Sequence, residues 1–314
     1  MAIDINSKCR LVLDSCCDLP RRVLDDAGIE FLQFPFMMND GEHFDDLGVS
    51  MQPKEFYDRL RAGEVSGTAQ IPLPVIMERF EEWAREGTPL VYLAFTAGLS
   101  GTFETVDRIT TELKEKYPDW ECYVVDTLLA SVAEGLLVYE AIHQYKSGMS
   151  AKQLAAWAEE ARWFVRCLFT CEGLEQLRRG GRVPDAAARF GDALDVKPLL
   201  NFNPDGTLAL SGVVRGRKKS LKSLVKCFEQ EHVKEYDPRG NIIVASADAD
   251  DDAKWVANHL GIAKDGIPPM MCNIGPTIGS HVGPGMVAIV FWGEDRREAL
   301  SVADKIARKV RKGE

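Results

Sequence analysis

A single histidine, His281, stands in the run Gly275-Pro276-Thr277-Ile278-Gly279-Ser280-His281-Val282-Gly283-Pro284-Gly285, just before the apolar stretch Met286 to Trp292. Glycine lets backbone approach a ligand closely and proline removes torsional freedom, so the run reads as a rigid loop that holds the imidazole in one place. Such a ring can donate, accept or carry a proton near neutral pH. Two hydroxyls are candidates to share its task. Ser100, within Thr96-Ala97-Gly98-Leu99-Ser100-Gly101-Thr102, falls where a strand hands over to a helix. Its hydroxyl and the following N–H groups can face one anion together, although the same residues also describe an ordinary helix N-cap. Thr68, in Ser66-Gly67-Thr68-Ala69-Gln70-Ile71-Pro72, lies in a loop before a helix and supplies the second hydroxyl.

Three chemistries compete for these residues. A serine-dependent acyl hydrolase would use Ser100 as nucleophile, His281 as base and Asp14 or Asp126 as orienter, but Gly98-Leu99-Ser100-Gly101 departs from the Gly-x-Ser-x-Gly elbow. A binding role would use the same groups to hold an anion. Two basic clusters, Arg178-Arg179-Gly180-Gly181-Arg182 and Arg215-Gly216-Arg217-Lys218-Lys219 with Lys222, are either solvated surface or a means to steer an acidic or phosphate-bearing partner. A nucleic-acid module is the third reading, and the formal net charge of -10 argues against it. The eight cysteines form no Cys-x-x-Cys pair and read as reduced core thiols, so neither a metal nor a cofactor is expected.

The elements that must position these groups alternate. With 314 residues and 46% hydrophobic content, two domains are expected, 1–166 and 167–314. No leader and no spanning stretch is evident, which reads as a soluble cytoplasmic protein. Strands at Arg10 to Leu13, Glu30 to Met38, Leu90 to Phe95 and Tyr123 to Val125 alternate with helices around Pro53 to Ala62, from Val75, from Ser100 and around Ala130 to Tyr145. Polar loops are expected at Asn39 to Val49 and Val65 to Pro74. The pattern implies a parallel sheet with ligand groups on the loops at its carboxyl edge. The second half reads as a further α/β domain of α+β character. It holds a helix over Ala151 to Val165, a hairpin turning at Asn203-Pro204-Asp205-Gly206, a helix around Lys219 to Glu231, a strand Asn241 to Ala245, a helix around Asp251 to Leu260, the strand Met286 to Trp292 and a basic helix Arg296 to Lys312.

Asp14-Ser15, Thr68-Ala69-Gln70, Leu99-Ser100-Gly101-Thr102, Asp126-Thr127, Gly180-Gly181-Arg182 and the His281 run occur in one order. In that combination, from Leu11 to Trp292, the chain resembles the DegV family of bacterial fatty-acid-binding proteins. The resemblance implies two α/β domains with one long-chain fatty acid in a tunnel between them. It also implies a carrier rather than an enzyme: members resemble the binding subunit of a bacterial fatty acid kinase, which presents the carboxylate to a separate ATP-dependent subunit that makes acyl phosphate. By position in the motifs, Thr68, Ser100 and His281 match the family's carboxylate-binding groups. Arg182, Arg215 and Arg217 fall where the family organises the site or meets the kinase. The implied partners are therefore a long-chain fatty acid and a kinase subunit, with no nucleic acid and at most transient membrane contact. The chain departs from the family where the usual Thr-Ser-Gln-Pro-Ser is Thr68-Ala69-Gln70-Ile71-Pro72, and where the usual serine of the third loop is Thr127.

Overall fold

The structure, a computed structural model, describes residues 8–183, 195–237, 239–262 and 266–298. Short apolar runs build the first sheet: β1 (Arg10–Asp14) and β2 (Glu30–Leu32) begin it. Between them and its other two strands the chain makes a small antiparallel sheet of β3 (Pro35–Met38), β4 (Gly41–Phe44) and β5 (Gly67–Thr68). Then β6 (Leu90–Ala94) and β7 (Cys122–Asp126) complete the first sheet in the order β2-β1-β6-β7, all parallel. Successive side chains of a strand point to opposite faces, so each strand feeds two cores. Val12, Tyr92 and Ala94 face α3 (Leu73–Glu86) and α4 (Thr102–Lys116), whereas Leu11, Leu13, Val91 and Leu93 face α1 (Arg21–Ala27), α5 (Val132–Lys146) and α6 (Ala151–Ala161). Phe56 and Tyr57 of α2 (Pro53–Arg61) join the second of these cores.

The second sheet is mixed. Its strands are β8 (Val165–Thr170), β9 (Val196–Phe202), β10 (Leu208–Arg215), β11 (Ile243–Ser246), β12 (Met270–Asn273) and β13 (Val287–Trp292), in the order β10-β9-β8-β13-β11-β12. All neighbours run antiparallel except β11 and β12. The short α7 (Glu175–Arg179) follows β8, and the sheet's outer face packs on α8 (Arg217–Glu231) and α9 (Asp250–Asn258) through Leu168, Ile289 and Phe291. Its inner face shares the core of the first sheet, with α5 between them. Ten of that helix's fifteen residues are buried, as a helix enclosed on all sides requires. The expected α/β class with a parallel first sheet is therefore observed, and the second sheet is mixed.

Several local expectations are corrected. The single strand expected over Glu30 to Met38 is two strands in different sheets, because Pro35 has no N–H for a continuous ladder and Phe34 N donates instead to Ser15 Oγ at 3.0 Å. The loops expected at Asn39 to Val49 and Val65 to Pro74 contain β4 and β5. The helix expected to run to Val165 stops at Ala161, and β8 then pairs along its whole length with β13. The division expected after residue 166 falls inside β8, where Val165 already opposes Trp292. The rigid loop around His281 is a short helix, α10 (Pro276–Val282). Proline at its first position and Gly283 at φ 69 just past its end bracket it in the manner helices favour. Of the basic helix expected over Arg296 to Lys312, a single 3-10 turn, Arg296–Glu298, is described and the remainder lies outside the described residues.

Candidate functional site: an apolar cavity with a hydroxyl and imidazole end

A cavity of about 300 Å³ lies between the carboxyl edge of the first sheet and the inner face of the second. From the first sheet's side its wall is made by the residues that follow strands: Cys16 after β1, Phe34 after β2, Phe95 after β6 and Ala130 after β7. From the second sheet come Phe169 on β8, Phe202 on β9, Leu208 on β10 and Ala288 on β13. The ladders set these side by side, Phe169 opposite Ala288 and Leu208 opposite Phe202. Polar groups gather in the same wall: Thr68, Gln70, Ser100, Arg182, Thr277 and His281. The sequence-derived head-group trio thus borders one cavity together with Arg182.

Each of these side chains has a local cause for its position. Thr68 is held by its register opposite Phe36 in β3, and Ala69 N donates to Pro35 O at 3.3 Å. Ser100 sits in the turn between β6 and α4, where its hydroxyl donates to Thr102 Oγ1 at 3.1 Å and accepts from Thr102 N at 3.3 Å. Gly101, not Ser100, is the N-cap of α4. His281 Nε2 lies 2.8 Å from Thr68 Oγ1. Its Nδ1 is buried without a hydrogen-bond partner among the described residues and faces Gly180, where any Cβ would stand 2.3 Å from it. With the ring in this place Gly180 leaves no room for a Cβ unless the imidazole shifts, which accounts for the glycine that stands two residues before Arg182. Burial, with Arg182 and Arg179 adding to it, pushes the His281 imidazole down to about 4. It is neutral at physiological pH. Placing its one proton on Nε2 leaves a bare lone pair, rather than an orphan N–H, at Nδ1 and makes Nε2 the donor to Thr68. The Thr68 hydroxyl proton is then available to a ligand in the cavity.

Arg182 spends its guanidinium on backbone: Nε and Nη2 donate to Leu99 O at 3.2 and 3.1 Å, and Nη1 donates to Gly180 O. It ties the Ser100 turn to the segment that abuts His281. The β9–β10 hairpin closes another side of the cavity. Its tip rests on the first half of the chain, where Thr96 Oγ1 donates to Gly206 O at 3.3 Å and a Cβ on Gly98 would stand 2.7 Å from the Gly206 carbonyl carbon.

The DegV family model, described as an uncharacterised protein family, matches residues 8–294. The chain belongs to the DegV family. It is 35% identical over 283 residues to a DegV domain-containing protein of Clostridium perfringens, covering 90% of this chain and 97% of that one. A DegV domain-containing protein of Lactococcus lactis is 32% identical over 241 residues, 76% of this chain and 82% of its own. Among solved structures, a DegV lipid-binding protein of Thermotoga maritima is 25% identical with TM-score 0.74, and a fatty-acid-binding DegV family protein of Streptococcus agalactiae is 25% identical with TM-score 0.75. Each covers 91% of this chain and 99% of the other.

Not every sequence candidate of this DegV chain reaches the cavity. Arg215 is exposed on β10, and Arg217 turns inward, where Nε donates to Asp252 at 2.7 Å and Nη2 to Gly285 O at 2.6 Å. Neither lines the cavity. Among the described residues the hydrolase arrangement is not formed: Ser100 pairs with Thr102 instead of His281, and no described carboxylate orients the ring. Asp14 instead accepts from Cys16 N, Phe95 N and the Tyr92 hydroxyl at 3.0, 2.9 and 3.1 Å, and burial raises it to about 6. Asp126 accepts from Leu128 N at 2.9 Å and Ala97 N at 3.3 Å. Both acids brace loops. Sequence reasoning missed Gln70 in the cavity wall and two further buried acids, Asp18 and Asp45, although Asp18 stands four residues after Asp14 in the same loop. The cysteines are free, six of them buried. Among the described residues no cluster of three or more His, Cys, Asp or Glu is arranged to hold a metal ion, and no helix is long and apolar enough to cross a membrane.

Proposed function

We propose that this DegV protein binds one long-chain fatty acid in the cavity, with its carboxylate at Thr68 and Ser100 and His281 behind Thr68. It presents that carboxylate to a separate ATP-dependent kinase subunit. The observation that carries this reading is the cavity's asymmetry: aromatic and aliphatic walls from both sheets end in two hydroxyls and a neutral imidazole. Its volume of about 300 Å³ suits one ligand. The relatives described as lipid-binding and fatty-acid-binding support the same class of ligand.

Magnitudes divide the labour. Each buried methylene contributes about 0.8 kcal/mol, so about 14 of them contribute roughly 11 kcal/mol before ordering costs. A hydrogen bond to a charged acceptor adds about 1.5–3 kcal/mol. Affinity then comes from the tail and orientation from the head group. The proposed partners of the carboxylate are neutral. Arg182 spends its hydrogen bonds on carbonyls and His281 carries no charge, so hydroxyls rather than a guanidinium hold the carboxylate oxygens in this reading. In the kinase step one carboxylate oxygen attacks the γ-phosphorus of ATP, the bond to the β-phosphate oxygen breaks, and acyl phosphate and ADP result. The kinase supplies the nucleotide site. Exposed Arg215, Lys218 and Lys219 offer it a basic face to approach.

Mass spectrometry of the lipid released from freshly purified, denatured protein tests the ligand. A stoichiometric C14–C18 acid is the expected result, and no acid together with no uptake of added palmitate or oleate overturns the reading. With a partner kinase, Thr68→Val and Ser100→Ala should each lower acyl phosphate formation at least tenfold while palmitate is still bound. Unchanged turnover would place the carboxylate elsewhere.

A further inference from the structure

His281 belongs by chain order to the second half of the protein, yet the helix that carries it is gripped by the first half. Tyr57 Oη donates to Ile274 O at 2.9 Å, Ser66 and Ser280 share a hydrogen bond of 2.6 Å, and Thr68 meets His281. The first turn of α10 is held differently, by two buried acids. Asp18 accepts from Gly275 N at 2.8 Å, and Asp45 accepts from Thr277 N at 3.2 Å and from the Thr277 hydroxyl at 2.7 Å. Both acids are buried, 3% and 1% exposed, and neither lines the cavity. Asp18 is itself braced by the Ser131 hydroxyl at 2.5 Å, and Asp45 by Leu47 N at 3.2 Å.

Burying an acid is costly, so an apolar contact would hold the helix at less expense if adhesion were all that was required. What the two acids add is direction, because a hydrogen bond fixes both angle and distance. Direction matters at the far end of α10. A side chain reaches roughly 5–6 Å from a helix axis, so rotating the helix by about 20° displaces an imidazole nitrogen by about 2 Å. That movement is enough to break a bond of 2.8 Å between His281 and Thr68.

We propose that Asp18 and Asp45 are positioning residues for the head-group site: from the first half of the chain they set the rotation of α10 so that His281 Nε2 meets Thr68, and they do not touch the ligand. The geometric part stands on the contacts above, while its consequence for phosphoryl transfer rests on the fatty-acid reading.

Long-range nitrogen-15 correlation spectra of the full chain, with His281→Gln to assign the signals, read the imidazole directly. In the wild type His281 should show one tautomer, protonated at Nε2. Asp45→Ala and Thr277→Val should both lose that single pattern. With a partner kinase, Asp45→Ala should also lower acyl phosphate formation at least tenfold while changing palmitate affinity less than threefold. Asp45→Asn keeps an acceptor for Thr277 and should restore the wild-type pattern. Asp18→Ala should disturb it as Asp45→Ala does. If the alanine variants do not fold, Thr277→Val carries the test, since it removes one donor and leaves the carboxylate in place. A wild-type His281 pattern in Thr277→Val, or in folded Asp45→Ala, overturns the proposal. The spectra need no ligand, so failure to find a fatty acid in the wild type would sink the binding reading and leave the positioning claim to be decided by His281 alone.

Discussion

The two ends of the cavity are built on different principles. The tail wall draws Phe169, Phe202, Leu208 and Ala288 from strands whose registers set the side chains next to one another, so its shape follows from sheet geometry. The polar end draws Thr68, Ser100, Arg182 and His281 from a two-residue strand, a turn, a post-helical segment and a seven-residue helix, and only specific hydrogen bonds align them. A wall made by regular elements tolerates variation in exact side-chain shape. A cluster made by irregular ones depends on single atoms.

Changes at the tail wall should therefore act on affinity, and the largest effect is predicted there. Leu208→Asp places a carboxylate against the ligand's methylenes, and we predict that palmitate affinity falls at least a hundredfold, about 3 kcal/mol or more, by fluorescent fatty-acid displacement. Affinity within threefold of wild type would show that the tail does not run past the hairpin. A similar magnitude is predicted for stability at the polar end. The His281 imidazole titrates at about 4 in the fold against an ordinary 6.5, so folding must exclude a proton that the unfolded chain accepts. Stability is lost as pH falls from 6.5 to 4, by about 3 kcal/mol, and none of this loss operates above 6.5. Asp14 and Asp45, raised to about 6, work in the opposite sense and favour the fold as they take up protons on acidification. Urea unfolding at pH 7 and pH 4 should thus show His281→Gln losing less stability on acidification than the wild type. Equal losses would remove the buried neutral imidazole from the account.

Gly180→Ala separates the two ends most directly. Its Cβ would enter the space of His281 Nδ1, so a stability cost of about 1–3 kcal/mol is predicted from overpacking, together with loss of the Thr68–His281 contact. Palmitate should still bind within about fivefold if the tail dominates affinity, at roughly 1 kcal/mol or less. The smallest effect is expected at Arg215, which is exposed and away from the cavity. Arg215→Glu should leave fatty-acid affinity unchanged within twofold and weaken only the kinase encounter, more so at low salt, at roughly 1 kcal/mol or less. A large change in affinity would mean that the basic face feeds into the site.

Much of the first sheet is legible in the sequence because strongly apolar runs such as Leu90 to Phe95 alternate with helical spacing, and periodicity reports such elements well. The hairpin turn at Asn203-Pro204-Asp205-Gly206 is legible for a different reason, the backbone demands of its residues. The grouping of Thr68, Ser100 and His281 was implied by motif order through the family resemblance, but the contact of Thr68 with His281 was not, since it depends on α10 being held by the first half of the chain. The strands β4, β5 and β12 are short and partly polar, and their pairing is decided by neighbours that local pattern cannot see. At α10 the signal was present and misread. Pro276 at the first position and Gly283 past the last mark a helix, and the dense glycine content suggested a loop instead.

The hairpin clasp bears on time as well as space. One neutral hydrogen bond of 3.3 Å and a bare backbone contact between Gly98 and Gly206 hold the tip against the first half of the chain. Such a contact resists being pushed closer and gives little resistance to being lifted, since a net hydrogen bond is worth about 1 kcal/mol. If the cavity holds a fatty acid as proposed, the dwell time of that acid is set by its own tail. Each further methylene should slow escape about fourfold, so that acids differing by two carbons leave on timescales more than tenfold apart. On that reading a protein closed in this way would sort its cargo by patience: short acids would come and go, and long ones would remain until something takes them.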